Sequence, residues 1–209
     1  MKKWIKRMAV AFVIWSMILV FSGCQKEEAW EKWTEEQLAI DQGGQITYCI
    51  VDQFDKNYYD IEELTGMAVK EAAEFNGANR TGSETPVTVL EVAAPEGHET
   101  LVRVTYRFHD GAAFTSFMGA KLYYETVEET FQQKHVFTGT VLYDDNGSIT
   151  LDEPTKVKLR TKHVVVTDAK TVIHLPSSVL YCTKGVQFRK DGSVDTTACE
   201  DTVILILAK

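Results

Sequence analysis

The groups in this chain that could do chemistry are a set of cysteine thiols, five imidazoles and several paired carboxylates. No C-x-x-C pair occurs, so the usual spacing of a zinc or thiol–disulfide redox site is missing. Cys49 lies inside the alternation Ile46-Thr47-Tyr48-Cys49-Ile50-Val51, where a thiol serves as a small buried hydrophobe. Cys182 and Cys199 flank the turn signal Lys190-Asp191-Gly192-Ser193. A hairpin about that turn brings them within a residue or two of facing each other, which predicts a disulfide in an exported protein. A one-residue slip in register would instead send one side chain to the other face. His98, His109, His135, His163 and His174 stand at no recognisable metal-ligand spacing. Asp144-Asp145-Asn146-Gly147 suggests a calcium loop, but Leu142 occupies a place where such a loop needs oxygen, and Asn-Gly is a strong hairpin signal. The carboxylates Glu62/Glu63 and Glu125/Glu128/Glu129 read as helix caps and solvated faces, since adjacency in sequence supplies no sugar cleft between an acid and a base. There is no G-x-S-x-G elbow, no phosphate-cradling glycine loop and no H-E-x-x-H. The expectation is no catalytic residue, no cofactor and no metal ion.

One charged stripe stands out. Lys156, Lys158, Arg160 and Lys162 alternate with Val157, Leu159 and Thr161. On a strand, period-two geometry puts all four cations on one face, suited to an anionic surface polymer. The alternative is a solvent face whose lysines guard a sheet edge.

The amino end positions the whole chain. Lys2, Lys3, Lys6 and Arg7 precede an apolar run from Met8 to Phe21, and small residues Ser22 and Gly23 follow. A basic head, a short apolar run and small residues mark a secretory signal, and the run falls short of the roughly 20 residues that span a bilayer. Phe21-Ser22-Gly23-Cys24 resembles the lipobox of bacterial lipoproteins, with Phe21 where Leu is usual. The resemblance implies cleavage before Cys24 and a diacylglyceryl group on its thiol. Two acyl chains anchor stably, whereas one chain of myristoyl size binds only marginally. Removing residues 1–23 takes away four positive charges and no negative ones, which moves the formal charge from −8 to −12. An acidic chain of this kind is no partner for nucleic acid, whose phosphates call for a basic face.

Three segments are therefore expected: a signal at 1–23, a lipidated acidic tether at 24–44 carrying Trp30 and Trp33, and one domain at 45–209. Ile46–Val51 reads as a strand. Asp60 and Glu63 make a capping box for a main helix over about 60–76, stopped by Asn76-Gly77. Val87–Val92 and Leu101–Phe108 read as paired strands, Ala112–Phe117 as a short helix, and Thr126 with Glu129 as a second capping box. The rest is β-rich: Val136–Tyr143, Ser148–Leu151, Val157–Arg160, His163–Thr167, Thr171–Leu175, Val179–Cys182, Val186–Arg189 and Val203–Leu207. The last is apolar throughout and should be buried on both faces. Without regular βαβ alternation, the pattern predicts an α+β fold on mostly antiparallel sheet.

Val51-Asp52-Gln53-Phe54-Asp55-Lys56-Asn57-Tyr58-Tyr59-Asp60, Phe114…Phe117-Met118-Gly119, Tyr124-Glu125-Thr126-Val127-Glu128-Glu129 and the apolar C-terminal strand resemble segments of small bacterial lipoproteins of uncharacterised function. That resemblance covers most of the chain after Cys24 and implies no particular activity or ligand. The expected function is a membrane-anchored extracytoplasmic binding or interaction module of the cell envelope. Its expected partners are the membrane, through Cys24, and an envelope protein or anionic surface polymer. The alternatives are an accessory subunit of an envelope complex and, behind that, a cell-envelope hydrolase.

Overall fold

The computed structural model describes residues 29–56, 59–79 and 84–209. The leader, the lipobox with Cys24 and the first residues of the expected tether lie outside the described residues. Ala29–Lys32 form one 3-10 turn. Strands β1 (Gln37–Ile40) and β2 (Ile46–Gln53) lead into helix α1 (Ile61–Asn79). Then come β3 (Val87–Ala93), β4 (Leu101–Phe108), α2 (Gly111–Met118), β5 (Leu122–Thr126) and α3 (Val127–Gln132). The hairpin β6 (Val141–Asp144) and β7 (Gly147–Thr150) precedes α4 (Glu153–Leu159). The chain ends in β8 (His163–Thr167), β9 (Val172–His174), β10 (Val179–Cys182), β11 (Gln187–Phe188), β12 (Val194–Asp195) and β13 (Val203–Leu207). The fold is α+β, with two sheets ordered β11-β12-β9-β1-β2-β4-β3 and β5-β8-β13-β10-β6-β7. Among the described strands only β1 and β9 pair in parallel.

Along β13 the second sheet is covered on both faces. Val203, Leu205 and Leu207 join the cluster that contains Leu38, Ile46, Tyr106 and Phe108 of the first sheet. Ile204 and Ile206 point the other way, onto Val127 of α3, Leu159 of α4 and Leu142 of β6. All five side chains are buried. At roughly 1.5–3 kcal/mol for each large aliphatic group removed from water, this strand is a main source of stability. Inside the first cluster Phe114 meets Tyr48 and Phe108 edge-on, both at 5.3 Å. Gly111 opens α2 against β5 so closely that a Cβ there would collide with the carbonyl of Leu122.

Local chemistry explains most element ends. Asp60 Oδ1 accepts from the Glu62 amide at 2.7 Å at the start of α1. Thr126 and Glu129 form the expected capping box, and Asp110 caps α2. The main helix runs past its expected stop at Asn76-Gly77 to Asn79. Asn76 does not break it because its side-chain amide is used elsewhere: it donates to the Val87 carbonyl at 2.7 Å and accepts from the Val87 amide at 2.9 Å.

Three expectations are corrected. The folded region begins before Gln45. Trp33 is buried, and β1 (inside the segment expected to be tether) sits between β2 and β9 with Leu38 and Ile40 in the core. Residues 157–160 are not a strand: Asp152 accepts from the Thr155 amide at 2.9 Å and Pro154 lies in the first turn, so the segment is helical. Finally, the strand expected at 136–143 starts only at Val141.

Candidate functional site

The inner face of the second sheet is wider than its cover. Cys182 of β10 faces the core, and its register partner Tyr143 of β6 points to the same side, as does Val141 two residues earlier. Leu142 between them is buried on the opposite face. Cover runs out along this seam: Val141 is 44% exposed and Tyr143 38%. Two cavities flank Tyr143. One, of about 480 Å³, is lined by Tyr143, Leu180, Cys182, Phe188 and the pair Asp144 and Asp145. The other, of about 460 Å³, is lined by Val141, Tyr143, Lys184, Cys199, Glu200 and Asp201. Each falls within the roughly 300–1,000 Å³ typical of ligand pockets.

The walls are set by local geometry. The β6–β7 turn is held by Asp144 Oδ1 accepting from the Asn146 amide at 2.9 Å, so this carboxylate caps a turn instead of closing a calcium loop. In β10 the register with β13 jumps from Val179–Leu207 to Tyr181–Ile206. Leu180 is the extra residue of that bulge, and it is turned to the first cavity with 36% of its surface exposed. Phe188, 58% exposed, projects from the β11–β12 hairpin. Arg189 steadies that hairpin by donating to Asp195 at 2.8 Å and Glu35 at 2.5 Å. These bonds, that to Glu35 foremost, hold its guanidinium pKa above the ordinary arginine value.

The expected site residues fall elsewhere or apart. Lys156 and Arg160 are one helical turn from each other, Lys158 projects from the opposite side, and Lys162 lies beyond α4. Lys156 reaches Glu153 at 3.7 Å and lies 4.8 Å over the Phe131 ring, while Lys162 donates to the Ala208 carbonyl at 2.5 Å. No four-cation strand face exists. Cys182 and Cys199 are free thiols, as is Cys49. The turn at Lys190–Ser193 forms, but its strands are only two residues long, so both cysteines fall outside the hairpin. Instead Cys182 pairs across to Leu205 and Tyr143.

Two further polar clusters invite a chemical reading. His135 Nδ1 lies 2.7 Å from Glu125 Oε1, and its ring stacks on Tyr123 at 3.6 Å. Neither His135 nor Glu125 lines the two cavities. The other cluster crosses the outer face of the first sheet, where Gln37, Cys49, Thr105 and Glu91 stand in one register row. Arg103 pairs with Glu91 and donates to the Trp33 carbonyl at 3.2 Å. Trp33 stacks on His174 at 5.0 Å, and His174 Nε2 lies 2.6 Å from Gln37 Oε1. This cluster clamps the entering chain onto the sheet. Among the described residues no group of three His, Cys, Asp or Glu side chains is placed to hold a metal ion, and no helix is long and apolar enough to cross a membrane.

No protein-family model, curated protein or solved structure matches the chain.

Burial sets two measurable titrations. It pushes the Cys49 thiol up to about 11 and raises Cys182 and Cys199 as well, which keeps them in the unreactive thiol form. At pH 7.5, iodoacetamide should modify Cys182 and Cys199 slowly and Cys49 only after denaturant is added; rapid native labelling of Cys49 would contradict its enclosure. Burial likewise lowers the His174 pKa below its usual 6.5. The unfolded chain then binds more protons than the folded one below that pH, so stability is full above about 6.5 and falls on acidification toward the folded value. Urea titrations from pH 7.5 to 5 should show this loss in the wild type and a flatter profile in His174→Gln. Parallel profiles would remove His174 as the cause.

Proposed function

We propose that this chain is a lipid-anchored protein of the cell envelope, held on the extracytoplasmic side of the membrane by diacylglyceryl on Cys24, and that its folded part is a non-enzymatic interaction module. The basic head, short apolar run and lipobox-like Phe21-Ser22-Gly23-Cys24 support the anchor. The observation that carries the second half is the uncovered seam of Tyr143, Leu180 and Phe188 with its two cavities. Exposed apolar surface rimmed by polar groups marks interaction sites. Acidic groups at both cavities favour an envelope protein over an anionic polymer as partner.

The anchor would also limit reach. Trp33 is nine residues beyond Cys24, so the clamped sheet begins within about 30 Å of the lipid even with the chain fully extended. The module works close to the membrane surface, where integral envelope proteins present their segments.

The test has two arms. Alkyne-palmitate should label the wild type in cells and leave Cys24→Ala unlabelled and released from membranes. Unlabelled wild type recovered from cytosol would end the anchor reading. Leu180→Glu, at an exposed position, should keep lipidation and melting temperature while shifting the chain out of high-mass envelope complexes on native gels. Complexes unchanged by Leu180→Glu and by Phe188→Ser would end the docking reading.

A further inference from the structure

Resting on the reading of this seam as a docking surface, we propose that it takes an extended cationic segment of a partner protein, apolar in the middle with lysine or arginine at either end. Three observations carry this. The first is charge. Asp144 and Asp145 line one cavity and Glu200 and Asp201 the other, against a single lining cation, Lys184. Tyr143 is shared by both cavities, and Leu180 and Phe188 extend this apolar surface within the first. A segment that fills it must carry apolar side chains at its centre and gains from positive charge at both ends.

The second observation is the strand edge. β6 and β10 are in register at one pair, Cys182 with Tyr143. Upstream of Cys182, Ser178, Val179 and Leu180 line the first cavity, and the pairing of β10 with β6 does not extend to them. An open edge is a template for another strand, and an added strand gains main-chain hydrogen bonds while its alternate side chains enter pockets. A helix would leave those edge groups unmatched.

The third is the bulge at Leu180. It adds one residue to β10 opposite β13, and the Leu180 side chain lines the opening. Where the cover leaves the seam exposed, this inserted residue supplies one apolar wall of the opening.

The direct test is fluorescence anisotropy with the full-length lipidated chain in detergent micelles. The probe is a fluorescein-labelled synthetic peptide, Lys-Val-Tyr-Val-Leu-Lys, and its twin with both lysines replaced by glutamate. The lysine peptide should bind at least tenfold more tightly than the glutamate twin at low salt, and the gap should shrink as added salt screens the charges. Asp144→Asn with Asp145→Asn should narrow the gap, Leu180→Glu should abolish binding, and Met67→Glu on the exposed side of α1 should change nothing. Equal binding of both peptides would overturn the cationic segment while leaving the docking reading in place. No peptide binding, together with concentration-dependent dimers lost in Leu180→Glu, would replace the partner with a second copy of this chain. No binding of either peptide and native complexes insensitive to Leu180→Glu would remove both the segment and the docking reading.

Discussion

The structure depends on one requirement: β13 must keep five consecutive apolar side chains out of water. A strand has two faces, so a continuous apolar run needs a layer on each. The first sheet supplies one layer, with Ile46, Tyr106 and Phe108 against Val203, Leu205 and Leu207. The helices α3 and α4 and the β6–β7 hairpin supply the other, through Val127, Leu159 and Leu142. Removal of either layer would expose Leu or Ile side chains worth roughly 1.5–3 kcal/mol each. The opening along β6 and β10 follows from the same arrangement. The inner layer is broad enough for β5, β8 and β13, and it thins where β10 meets β6, leaving Tyr143 and Val141 partly in solvent.

The entering chain is part of that inner layer. β1 contributes Leu38 and Ile40 to the core and bridges β2 and β9, so it joins the amino-terminal hairpin to the carboxy-terminal half of the chain. The clamp just before it uses polar groups: Trp33 on His174, the Trp33 carbonyl on Arg103, and Glu35 on Arg189. Because Arg189 also holds Asp195, the same residue ties the entering segment to the hairpin that presents Phe188. Under the proposed anchoring, the point where the tether meets the fold is therefore linked to one wall of the opening.

Much of this fold was legible, and the misreadings have definite causes. The capping residues Asp60 and Thr126 begin helices, the Asp144–Gly147 turn makes a hairpin, and the strands expected at Ile46–Val51 and Leu101–Phe108 form as β2 and β4. The stretch from Lys156 to Lys162 alternates like a strand, yet the cap Asp152 and Pro154 four and two residues upstream were the stronger local signals. β1 has only four residues after Glu35 and Glu36, too few for a periodic pattern to stand above the acidic background. Asn76 reads as a stop only until its partner Val87 is known, and that pairing spans eleven positions. The opening itself could not be read at all. It exists because one layer is narrower than another, a property of how the sheets meet. Phe188 beside its turn and Tyr143 between Leu142 and Asp144 looked like ordinary sheet residues.

The central claim is that the seam of Tyr143, Leu180 and Phe188 is open to solvent in the folded protein. Hydroxyl-radical footprinting of the full-length chain, read by mass spectrometry, tests it directly by comparing these side chains with the buried rings Phe108 and Phe114. Oxidation of Tyr143 and Phe188 at rates well above those of Phe108 and Phe114 is the expected result. Protection of Tyr143 and Phe188 to the level of the core rings would contradict it, since the inner face would then be fully covered.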